Sequence, residues 1–135
     1  MAGPASELDI RAPHDSELDE LTALLIAQLR EHDNALPDAA LGRATAGLAR
    51  RPQRGQFLIA REGNVLLGFA ALSYLWTLER GGRAAWLDEL YVVPQRRGEG
   101  IGARLLDAAL QGAQAAGACL PRHASSRAVS HDRVG

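Results

Sequence analysis

The stretch "PQRRGEGIGARLL", residues 94–106, sets glycines at 98, 100 and 102 between an apolar run ending at Val93 and an alanine-rich segment with helical spacing. A strand that stops there and a helix that starts near Gly100 leave several backbone N–H groups without partners inside the helix. Those donors require an acceptor. The glycines remove Cβ atoms from the side that faces it, so a bulky anion can approach the main chain closely. The positive end of the helix dipole then favours a phosphate or pyrophosphate. Arg96 and Arg97 add side-chain charge, and Arg104 lies one turn into the helix. The chemistry that suits these residues is phosphate binding.

Two familiar phosphate loops share part of this spacing. A Walker loop places a lysine and then serine or threonine after its last glycine, where this chain has Ile101 and Gly102. Gly98, Gly100 and Ala103 satisfy the dinucleotide pattern in form. That fold, however, needs a parallel strand after the helix and an acidic residue about twenty positions on. Neither Asp nor Glu occurs between Asp107 and Asp132.

The elements that must position the loop are legible as patterns. "ELDIRAP" alternates Leu8 and Ile10 with charged residues, a short strand stopped by Pro13. "HDSELDELTALLIAQLREHD" places Leu18, Leu21, Leu24, Leu25 and Leu29 at helical spacing, with Asp15 or Ser16 as the N-cap. A second helix starts near Asp38, carries Leu41, Ala44 and Leu48 inward, and ends at "RRPQRG". "QFLIARE", a Gly-Asn turn and "VLLGFAALSYLW" read as a hairpin whose second strand, apolar on both faces, is central. "TLERGGR" turns the chain into the strand "AAWLDELYVV", which Pro94 closes. After the loop, Ile101, Leu105, Ala109, Leu110 and Ala113 form the apolar stripe of a helix ended by Gly117.

A chain of 135 residues holds one core, so a single domain over 1–135 is expected. With 47% hydrophobic residues it is globular, and the scarcity of aromatic residues predicts an aliphatic core. Its 15 basic and 16 acidic residues nearly cancel, which removes the broad positive field of a nucleic-acid binder. A lone Cys119 excludes an intramolecular disulfide, and the four histidines show no zinc-site spacing, so no metal is expected. No run approaches the ~18 apolar residues of a membrane span. The "MAGPASELDIR" start lacks the pattern of a secretory signal. A cytoplasmic protein with no membrane partner is the expectation.

Gln95, Arg96, Arg97, Gly98, Glu99 and Gly100 match Q/R-x-x-G-x-G/A in full. On these residues, and across "LDELYVVPQRRGEGIGARLLDAAL", the sequence resembles the GNAT superfamily of acyl-CoA-dependent N-acyltransferases. The resemblance runs from about Leu8 to Gly117, with strands and helices in the family's order. It implies an α/β (α+β) fold: a mixed, mainly antiparallel sheet flanked by helices. It also implies an N-acetyltransferase that moves the acetyl group of acetyl-CoA to a primary amine of a small molecule or protein.

The resemblance assigns roles as well. Gln95, Arg96, Arg97, Gly98, Glu99, Gly100, Ile101, Gly102 and Ala103 become the pyrophosphate cradle, and Leu90, Tyr91 and Val92 the strand edge that pairs with pantetheine. A backbone amide of that strand would polarise the thioester carbonyl. The attacking amine must be neutral, so a carboxylate that removes its proton is needed, and Glu89 and Asp88 are the candidates. Strand alternation puts them on opposite faces, with Glu89 on the face of Leu87 and Tyr91, which favours Glu89. Tyr74, Trp76, Glu79, His32 and Asp33 are available to line an acceptor pocket, although packing roles suit Tyr74 and Trp76 better.

Residues 118–135 depart from the family. "ACLPRHASS" does not alternate like a strand, and no tyrosine follows Tyr91 to protonate the leaving thiolate, which leaves the general acid unassigned, with His131 no more than a guess. The expectation is a domain whose C-terminal strands are missing. The alternative function is a non-catalytic coenzyme A-binding module, or a truncated, inactive acetyltransferase that oligomerises. An uncovered apolar strand edge would favour a homodimer.

Overall fold

A computed structural model describes residues 7–119. Four strands form one antiparallel sheet in the order β1 (Leu8–Arg11), β2 (Gly55–Glu62), β3 (Val65–Thr77) and β4 (Gly82–Val92). Helices α1 (Leu18–Glu31) and α2 (Asp38–Ala49) connect β1 to β2, and α3 (Ile101–Ala115) follows β4. The mainly antiparallel sheet flanked by helices is the architecture that the sequence implied. Gly63 and Asn64 form the two-residue turn between β2 and β3, and Gly63 has a φ of 59°.

The sheet is covered on both sides, with different chemistry on each. Against α3 lies an aliphatic layer in which Leu72, Leu90 and Val92 meet Ile101, Leu105 and Ala109. Against α1 lies a row of aromatic rings. Phe57 stands edge-on to Phe69 at 6.2 Å, and Phe69 is 6.1 Å from Tyr91. The expectation of an aliphatic core therefore holds for the α3 side only, because the few aromatic residues concentrate on the other. β3, buried from Leu66 to Leu72, is the central strand that its apolar run predicted.

Two helix details differ from the sequence reading. Neither Asp15 nor Ser16 caps α1; a 3-10 turn over Asp15–Glu17 precedes it, and the Glu17 carboxylate accepts from the His14 N–H at 2.7 Å. In α2 Leu41 and Thr45 are buried and Leu48 packs against the core, whereas Ala44 is exposed. The Thr45 hydroxyl is satisfied inside the helix by donating to the Leu41 carbonyl at 2.9 Å, which lets a polar residue take the buried position. At the other end of the chain α3 closes as the sequence suggested. The Gly117 and Ala118 amides donate back to Gln114 and Ala113, the pattern that satisfies a helix's last carbonyls and turns the chain sharply.

Glu17 ties three elements together, pairing with Arg11 at 2.8 Å and Arg61 at 2.9 Å, and its side chain is only 12% exposed. The hydrogen bond from Arg11, supported by the His14 amide and the charge of Arg61 and opposed by burial, lowers its pKa to about 2 from 4.5. A carboxyl whose folded pKa lies below its unfolded value adds stability that is complete above the unfolded pKa and is lost as pH falls towards the folded one. Glu17→Gln should therefore lower the Tm at pH 7, and the gap to the wild type should close between pH 4.5 and pH 2. Melting curves followed by circular dichroism across that window test it; a constant gap would mean that the ion pairs contribute nothing.

Candidate active site

β4 contains one residue more than its neighbour at mid-length. Ala71 pairs with Glu89 and Leu72 with Leu87, which leaves Asp88 as the extra residue of a β-bulge. The bulge changes which side chains face which helix. Ala85 and Leu87 before it, and Leu90 and Val92 after it, all pack on the α3 side, while Tyr91 packs on the α1 side. Simple alternation is thus overturned at two points. Leu87 does not share a face with Glu89, and Asp88 and Glu89 are not on opposite faces.

Both carboxylates reach partners on the α1 side. Glu89 Oε1 accepts from Gln28 Nε2 of α1 at 2.6 Å. Asp88 accepts from Ser73 Oγ at 2.5 Å, and Ser73 lies two residues along β3 from Ala71, the strand partner of Glu89. Asp88 is exposed and Glu89 half-buried, so the acidic pair sits at the border between the aromatic layer and solvent. Gln28 itself is only 1% exposed. It continues the helical spacing of Leu18, Leu21 and Leu25, so a polar residue in an apolar stripe was the sequence signal that could have revealed it.

The loop after β4 begins with a 3-10 turn over Pro94–Arg96. Gly98 and Gly100 have φ of 84° and 85°, in the left-handed region where side chains with a Cβ are strained. A Cβ at either would meet nothing within 4 Å, so the glycines serve conformation and leave the space beside them open. Gly100 is the N-cap of α3, and no side chain caps the helix. The amides of Ile101, Gly102 and Ala103 in its first turn therefore have no intrahelical acceptor. An anion seated there would meet unmasked donors at the positive end of a helix of 15 residues.

The loop arginines are already engaged. Arg96 pairs with Glu62 at 2.9 Å and Glu99 at 3.0 Å, and the hydrogen bond from Arg96 holds the Glu99 carboxyl below its usual range. Arg97 donates from Nε to the Val92 carbonyl at 2.7 Å, lies 5.2 Å above the Tyr91 ring, and approaches Glu31 at 3.5 Å. Glu31 in turn accepts from the Tyr91 hydroxyl at 3.0 Å. These contacts tie the loop to β2, β4 and α1. Arg104 borders a groove of about 320 Å³ between β1 and α3, lined also by Ile10, Ala103 and Asp107.

Among the described residues, β4 is the last strand of the sheet. The chain leaving α3 returns to its beginning, where the Ala85 amide donates to the Cys119 carbonyl at 2.8 Å and the Cys119 amide to the Arg83 carbonyl at 3.0 Å, a parallel bridge. The segment "ACLPRHASS" thus does pair with β4 at its second residue; Leu120 to Gly135, including His131, lie outside the described residues. The bridge at Ala84 and Cys119 lies on the side of β4 away from β3.

Other sequence candidates are not gathered at this site. Tyr74 packs on the α3 side, where its hydroxyl accepts from Gln56 and its ring lies under Arg83, across the sheet from Glu89. Trp76 is 73% exposed on the same hairpin arm, and Glu79 is exposed in its turn. His32 and Asp33 close the C-terminal end of α1, with Asp33 at a φ of 60°. Among the described residues, no group of three His, Cys, Asp or Glu side chains could hold a metal ion, and no helix is long and apolar enough to cross a membrane.

The bulge with its two acids, the glycine loop and the uncapped start of α3 follow one another along the chain. The chain belongs to the Acetyltransferase (GNAT) family, whose family model matches residues 18–129. It is similar to an integron cassette protein from the mobile metagenome of Cole Harbour Salt Marsh, with 30% identity and a TM-score of 0.77 over 88% of this chain and 80% of that one. It is also similar to a ribosomal-protein-alanine N-acetyltransferase from Brucella melitensis biovar Abortus 2308, with 26% identity, a TM-score of 0.68, and coverage of 86% and 82%. An aminoglycoside N-acetyltransferase solved in complex with CoA shares the fold at 21% identity and a TM-score of 0.75, covering 97% of this chain and 89% of that one. No curated protein sequence matches the chain significantly.

Replacing Gly100 with alanine forces a Cβ into the left-handed region at the helix start, which should cost about 1–2 kcal/mol. Urea denaturation of Gly100→Ala against the wild type measures this. An unchanged midpoint would mean that the loop relaxes to another conformation.

Proposed function

We propose that the protein transfers the acetyl group of acetyl-CoA to the nitrogen of a primary amine, carried by a small molecule or a protein. The observation that carries this reading is the direct succession of β4, with Glu89 beside its bulge, the left-handed glycines of the loop and the uncapped start of α3. The residues present fit the coenzyme: Gly98 and Gly100 leave open space beside the loop, and the first-turn amides of α3 offer donors for a pyrophosphate. Gln95 to Ala103 would hold that group through the main chain, and Leu90, Tyr91 and Val92 would offer backbone partners to the pantetheine arm. Acetyl-CoA supplies the acyl carbon as a thioester, whose C–S bond breaks as the new C–N bond forms, and coenzyme A leaves as a thiolate that takes up a proton from solvent.

Within this scheme each residue has a limited task. Glu89 takes the proton that the amine nitrogen gives up, directly or through one water, so that a neutral lone pair attacks. Asp88, one residue away and held by Ser73, adds negative charge that favours a cationic amine on approach. A β4 amide donates to the carbonyl oxygen where negative charge develops. Arg96 and Arg97 hold the loop's shape through their ion pairs and leave the anion to the main chain.

Calorimetric titration with acetyl-CoA followed by a thiol-release assay over an amine panel tests the reading. Glu89→Gln should keep coenzyme binding, lower kcat by roughly 100-fold or more, and abolish the acidic limb of the pH–rate profile. Binding without turnover on any amine would leave a coenzyme-binding module, and no binding by folded protein would remove both readings.

A further inference from the structure

Gln28 is a polar residue in a place that packing alone would give to leucine. It is 1% exposed on the stripe of α1 that carries Leu21 and Leu25, and its Oε1 is buried with no hydrogen-bond partner. An unsatisfied buried acceptor is a cost to stability, and native structures contain few of them. The benefit lies at the other end of the amide, where Nε2 donates to Glu89 Oε1 at 2.6 Å. An ionised carboxylate only accepts hydrogen bonds, so it must face the NH2 group, and with nothing binding Oε1 the orientation of the amide is set by Glu89 alone. The anchor is firm, because α1 is fixed by buried Leu18 and Leu21 and by the Glu17 ion pairs at its start.

We propose that Gln28 is a positioning residue for Glu89, holding its carboxylate in one direction and in its ionised, proton-accepting form. This rests on the reading of Glu89 as the base. Titratable and charged groups on the elements packed around Glu89 include Asp88 beside it on β4, Asp19, Glu20, Arg30 and Glu31 on α1, His32 at its end, and Arg97 over Tyr91. β3 faces it with Ala71 and Ser73, which carry no charge. A hydrogen-bond donor aimed at a carboxylate favours its charged form, and the Gln28 amide supplies one. The side-chain hydrogen bond of Gln28 goes to Glu89, so it acts through the base and not on the reacting atoms.

The test compares Gln28→Met with the wild type in the full chain. Methionine fills the site and removes both the donor to Glu89 and the unpaired acceptor. The expected result is a melting temperature equal to or above that of the wild type, an unchanged Kd for acetyl-CoA, a kcat lower by about tenfold, and an acidic limb of the pH–rate profile moved up by about one unit. Gln28→Asn draws the amide back by one methylene and should show the same shift, which gives the answer if methionine prevents folding. An acidic limb that stays in place in both variants overturns the proposal, as does a loss of kcat matched by a fall in Tm with no change in the pH profile. If Glu89→Gln keeps full activity, the base reading itself has failed. If Glu89→Gln is inactive while Gln28→Met keeps the wild-type profile, only the positioning role is lost.

Discussion

β3 and β4 share the longest strand pairing in the sheet, and β4 fits one residue more into it than β3 does. The surplus at Asp88 lets the strand present an aliphatic face to α3 on both sides of the bulge while turning Glu89 to α1. Without it, the residues that face α3 before Asp88 and those that face it after would be out of phase, and one half of the strand would expose its apolar set. The position of the acid pair is therefore a consequence of keeping the core continuous. Core packing and placement of a polar site are solved by one backbone irregularity.

That solution divides the molecule by chemistry. The α3 side is aliphatic and ends in the glycine loop, so its rigidity supports the helix start and its donors. The α1 side is aromatic and ends in polar groups: Tyr91, Glu31 and Arg97 form one linked set, and Gln28 and Glu89 another. The loop belongs to both sides, because Arg97 reaches α1 and Arg96 reaches β2. A change in the loop's charge would be felt at three elements.

Much of this was legible in the sequence wherever one local pattern decides the outcome. The hairpin turn at Gly63 and Asn64, the end of α3 at Gly117, and the glycine loop all follow from backbone chemistry that few residue types can satisfy. The orientation of Asp88 and Leu87 was not legible, because an inserted residue leaves no mark in a run of alternating side chains until the neighbouring strand is known. Ala44 and Thr45 exchanged places for a related reason: a threonine that bonds its own helix behaves as an apolar residue, which composition does not reveal. Gln28 was hidden in plain view, since its spacing matched the leucines and its partner is distant in sequence. The parallel bridge at Cys119 depended on where α3 delivers the chain, a tertiary fact.

The outer edge of β4 is bounded at both ends. Cys119 occupies the main chain around Ala84, and Arg97 occupies the carbonyl of Val92. Between them, from Trp86 to Tyr91, lies a stretch of roughly 20 Å at about 3.3 Å per residue. Under the proposed function, that length acts as a ruler for the extended arm of the coenzyme. Lengthening or shortening the strand between the bridge and the arginine would then change the size of molecule accepted without altering any side chain that touches it.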